Sequence, residues 1–70
     1  MGLDYTLFVD DDHPADKKTL ELFQSRIPDG LVMLTSGSLP HLRYKDEKEN
    51  FQDIKGNREI RQYIITTFPV

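Results

Sequence analysis

Two short apolar runs flank a stretch of helical period, and this arrangement limits the folds open to the chain more than any other feature. Tyr5-Thr6-Leu7-Phe8-Val9 favours strand, and its consecutive Leu7, Phe8 and Val9 lack the alternation of a half-solvated one. Leu31-Val32-Met33-Leu34 has the same character. Continuous apolar runs of this length mark strands covered on both faces, so both segments are expected to be buried. Between them Pro14 suits the first helical position, where its missing N–H has no intrahelical partner to lose. Asp16 in the first turn favours the positive end of the helix dipole. Leu20, Phe23 and Ile27 then recur at spacings of three and four, backed by Lys17, Lys18, Glu21, Gln24 and Ser25. The spacing predicts a helix from about Pro14 to Arg26, ended by Pro28-Asp29-Gly30. Strand, helix and strand in succession make a βαβ unit, which is parallel with a right-handed crossover.

The period changes after Pro40. Leu42 and Tyr44 alternate with His41, Arg43 and Lys45, as in a strand with one solvated face, and Phe51 and Ile54 fall in a second short strand. The polar Asp46-Glu47-Lys48-Glu49-Asn50 between them has the length of a hairpin connection. Gly56-Asn57 supplies a turn and a helix N-cap, followed by a stripe of Ile60, Tyr63 and Ile64 backed by Arg58, Glu59, Arg61 and Gln62. Tyr63, Ile64 and Phe68 are read as core and C-terminal packing. The predicted order is β-α-β-β-β-α, an α/β fold with two helices on a four-stranded mixed sheet. No repeat, low-complexity tract or Ser/Gly linker offers a boundary, so residues 1–70 are expected to form a single domain.

Composition narrows the function. A chain of 70 residues, 37% apolar and 30% charged, has a modest core; at this size folding buries only roughly 60% of the unfolded surface. Twelve acidic residues against nine basic give a net charge of -3, and phosphate recognition normally draws on a basic surplus, so nucleic acid is not the favoured partner. Six of the nine basic residues lie between Arg43 and Arg61 with Tyr44, Phe51 and Tyr63 interleaved, but five acidic residues share that interval. A mixed solvated surface is the expectation there. No run approaches the roughly 18 apolar residues of a membrane span, and the N-terminus has neither the basic start nor the apolar run of a signal peptide. A cytoplasmic setting without a membrane partner is expected, and no cofactor is implied. The absence of cysteine removes disulfides, thiolate nucleophiles and cysteine-ligated metals together.

Three local motifs in this element order resemble the thioredoxin fold in its shortest form, the glutaredoxins, over nearly the whole chain. His13-Pro14-Ala15-Asp16 stands where glutaredoxins carry Cys-Pro-Tyr-Cys, at the start of the first helix. Ser38-Leu39-Pro40 stands where they carry Thr-Val-Pro, with its cis proline facing the redox motif, and Gly56-Asn57-Arg58-Glu59 partly matches their acidic Gly-rich turn. The resemblance implies a thioredoxin-like sheet of order 2-1-3-4. It also implies a cis bond before Pro40 and a ligand-facing surface made by His13, Pro14, Ala15, Asp16, Ser38, Leu39, Pro40 and Asn57. Both redox cysteines are replaced, by His13 and Asp16. Thiol–disulfide exchange needs a thiolate to attack sulfur, so this chain cannot perform it. In the family, backbone beside the cis proline pairs with an extended peptide or with glutathione. The resemblance therefore implies a redox-inactive binding or regulatory module, not an enzyme, that engages a protein segment or retains a glutathione-like ligand. Stand-alone domains of this size are frequent in phage and bacterial genomes, which fits an adaptor or inhibitor of a host protein.

The competing expectation is an enzyme. The first 16 residues hold five Asp and neither Lys nor Arg, and Asp10, Asp11, Asp12, His13 and Asp16 crowd one strand-to-helix junction. Hard cations take several carboxylate oxygens, so a small metal- or His/Asp-dependent enzyme would use this cluster. EF-hand spacing is absent, and carboxylates are also stabilising at a helix N-terminus. His13 as a general base would need a substrate or nucleophile partner, and Ser36 and Ser38 belong to no defined triad. Val9-Asp10-Asp11-Asp12 also looks like the acidic strand end of response-regulator receiver domains. Receivers, however, insert a further strand and helix where this chain has 15 residues between Asp12 and Pro28.

Overall fold

The computed structural model describes residues 4–70. Its elements are β1 (Tyr5–Val9), α1 (Pro14–Arg26), β2 (Leu31–Leu34), β3 (His41–Lys45), β4 (Phe51–Lys55) and α2 (Asn57–Thr67). The four strands form one mixed sheet of order β2-β1-β3-β4. β1 runs parallel to β2, and the β1–β3 and β3–β4 pairs are antiparallel. Among the described residues, no helix is long and apolar enough to cross a membrane.

Side chains alternate between the faces of a strand, and the register assigns each residue its side. Leu7 pairs with Val32 and with Leu42, and Leu42 with Ile54, so these residues share one face. On it Leu7, Val9 and Leu42 are fully buried together with Phe23 and Ile27 of α1 and Ile60 and Ile64 of α2. Both helices therefore cover the same face. At one end of this layer the rings of Tyr5, Tyr44, Tyr63 and Phe68 close the core. The Tyr5 and Tyr63 hydroxyls lie 2.9 Å apart.

The other face is open, and here the structure corrects the expectation that β1 and β2 are covered on both sides. The segment between β2 and β3 is a series of bends with no helix in it, so among the described residues no helix covers this face. β2 is an edge strand, and Leu31, Met33 and Leu34 are 56%, 52% and 62% exposed. Phe8, on the open face of β1, is half-buried, with its ring stacked on His41 at 4.2 Å and 8°.

The helix starts also differ from expectation. Gly56, at φ +94°, occupies the N-cap of α2, a backbone conformation that disfavours any residue with a Cβ. Asn57 is the first helical residue and turns its side chain inward instead of capping. His13 holds the N-cap position of α1 without a side-chain cap, and Pro14 follows it as predicted.

Candidate functional site

Asp16 organises the strand-to-helix junction. It is completely buried, and its carboxylate accepts three hydrogen bonds over its two oxygens. Oδ2 accepts the Asp10 amide at 2.9 Å, while Oδ1 accepts Asn57 Nδ2 at 2.7 Å and the Ser38 hydroxyl at 3.3 Å. Asn57 Oδ1 in turn accepts the Thr19 hydroxyl at 2.8 Å. Burial pushes the Asp16 carboxyl up, but the donors Asn57, Asp10 and Ser38, with the nearby His13, outweigh it and hold the group below the usual carboxylate range. The network joins both helices to the loop between β2 and β3.

Asp10 pins the same loop from the other side. One of its carboxylate oxygens accepts the Gly37 amide at 2.9 Å and the other the Asp12 amide at 3.0 Å. Gly37, at φ +76°, lets the chain turn there. At the loop's two ends the Thr35 amide donates to Val9 O at 2.8 Å, and the Gly56 amide to Pro40 O at 3.1 Å. No peptide bond among the described residues is cis. The bond before Pro40 is therefore trans, which corrects the cis geometry that the resemblance implied. Trans is the intrinsically preferred isomer, and the anchors at Thr35, Gly37 and Pro40 hold the loop with that bond extended.

The eight residues expected at one surface separate into three groups. Ser38, Leu39 and Pro40 join His41, Lys55 and Gly56 around a cleft of about 450 Å³. Leu39 is 76% exposed beside it. Asp16, Ser38 and Asn57 share the hydrogen-bond network, with Asp16 wholly inside the protein and Asn57 partly so. His13, Pro14 and Ala15 are exposed at the helix start and line neither. His41 and Lys55 are the cleft residues that the motif argument missed. They pair directly across β3 and β4, and strand alternation opposite Leu42 and Ile54 was the signal for them.

The carboxylates of Asp10, Asp11 and Asp12 gather within 4.8 Å of one another. Asp11 and Asp12 are exposed, whereas Asp10 is half-buried and committed to the backbone amides that shape the loop. The observed work of the Asp10 carboxylate is thus to brace the turn. Comparison with protein-family models, with curated proteins and with solved structures returns no match to this chain.

Proposed function

We propose that the chain is a binding module without redox chemistry, a glutaredoxin-like scaffold that holds an apolar side chain of a protein segment in the cleft beside Leu39. The observation that carries the reading is an exposed leucine on a loop with anchors at Thr35, Gly37, Ser38 and Pro40. Fully burying a leucine is worth about 1.5–3 kcal/mol, so a side chain presented this way gains free energy when a partner covers it. The anchors reduce the ordering entropy that a flexible loop would lose on association. Pro40 lines the cleft and has no N–H to leave unpaired at its wall, and Lys55 at the rim suits a carboxylate on the same segment.

Selection from a random peptide-display library on the intact protein tests this reading. The enriched peptides are expected to carry an apolar residue and to lose about tenfold or more in affinity for Leu39→Asp. Leu39 is solvent-facing, so the variant should keep the wild-type unfolding midpoint. Peptides that bind both proteins equally would remove the Leu39 cleft as the site.

A further inference from the structure

The open face of the sheet gathers aromatic and basic side chains. Alternation and register place Arg43, Lys45, Phe51 and Lys55 on it, together with the stacked Phe8 and His41. Phe51 is 64% exposed, with the Arg43 guanidinium 5.7 Å and the Lys45 ammonium 5.5 Å from its ring centre. The only carboxylate that the paired strands add to this face is Asp53, 3.3 Å from Arg43 in an exposed ion pair. Such pairs are worth about 0–1 kcal/mol and open readily to a competing anion. Although the chain is acidic overall, this face bears three permanent cations against one anion.

From this juxtaposition of the exposed Phe51 ring, the half-buried Phe8–His41 pair and the cations on an uncovered sheet face, we propose that the face binds single-stranded nucleic acid. The ligand must alternate planar apolar groups with anionic ones, and a nucleotide strand does so at every unit. Bases stack on exposed aromatic side chains whatever their sequence, while a basic surface follows the phosphates. A base stacked on Phe51 brings its phosphate within reach of Arg43 and Lys45, and the Phe8–His41 pair offers a second aromatic point across β3. A duplex, whose bases are already stacked, cannot use the rings. An acidic peptide would use the cations alone. The surface is distinct from the Leu39 loop, though His41 and Lys55 border both.

Fluorescence anisotropy with labelled oligo(U) and oligo(dT) on the intact protein tests the proposal, with a duplex and a poly-glutamate peptide as controls. Both single strands should bind, with log affinity falling against log salt at a slope of about -2, as for three phosphate contacts. Phe51→Ala should weaken binding about fivefold or more, and Lys45→Glu should weaken it and flatten the slope. Duplex or poly-glutamate binding as tight as the single strands would overturn the proposal, as would Phe51→Ala binding like wild type. Ring-proton NMR of the wild type keeps the test decisive if a variant misfolds. On adding oligo(U), the Phe8, His41 and Phe51 resonances must shift while the Ile60 and Ile64 methyls stay still, and unmoved rings overturn the proposal.

Discussion

Asp16 is a charged residue with no exposed surface in a chain of only 70 residues. Such a group is tolerable only when hydrogen bonds replace its lost water, and Asn57, Ser38 and the Asp10 amide provide them. Asp16→Ala leaves three donors facing a void and should cost about 2–4 kcal/mol, read as a lower urea midpoint at neutral pH. Because folding lowers the Asp16 pKa, the folded state binds this proton more weakly than the unfolded state. Its contribution is therefore complete above the ordinary carboxylate range and is lost as pH falls through the lowered folded value. Wild type should lose stability over that acid window more steeply than Asp16→Ala, and parallel curves would show that Asp16 is not the titrating group. From the sequence Asp16 could be placed in the first turn of a helix. Its partners at positions 38 and 57 are separated from it by long stretches of chain, and local pattern carries no signal for such pairings.

At the scale of elements, periodicity located every strand and helix, because each apolar period reflects a face that must be buried. It did not decide how many faces were covered. Leu31-Val32-Met33-Leu34 reads the same whether a strand is central or at an edge, and β2 is at the edge. The turn into β2 shows how closely the covered face is packed. A Cβ added at Gly30 would collide with the Phe23 ring at Cζ and lie 3.1 Å from Ile27 Cγ2. Phe23 is fully buried and has no free direction in which to move. Gly30→Ala should therefore destabilise by about 1–3 kcal/mol, measured by chemical denaturation, whereas alanine ordinarily stabilises a glycine position that tolerates it.

The whole molecule is a two-layer structure, closed on one side by helices and at one end by tyrosines. Burial, followed by the hydrogen bond to Tyr5, pushes the Tyr63 hydroxyl up to about 12. A raised pKa means the folded protein holds this proton where the unfolded chain, near 10, has released it. Stability from Tyr63 is thus intact below about pH 10 and declines toward pH 12. Tyr63→Phe should cost about 0.5–1.5 kcal/mol at neutral pH through loss of the Tyr5 hydrogen bond and should soften the alkaline decline, measured by tyrosinate absorbance alongside unfolding. The sequence by itself determined the element order, the lack of thiol chemistry and which residues are apolar enough to form the core, since these follow from local spacing and residue chemistry. Only the tertiary structure decided that the second sheet face is bare, that the bond before Pro40 is trans, and that the open face gathers three cations against the single carboxylate of Asp53. Arg43, Lys45 and Lys55 go to the open face, while Asp46, Glu47 and Glu49 stay in the hairpin turn. The physical reason is register: pairing between distant segments assigns each residue its side, and a one-dimensional pattern does not contain the neighbour across the strand.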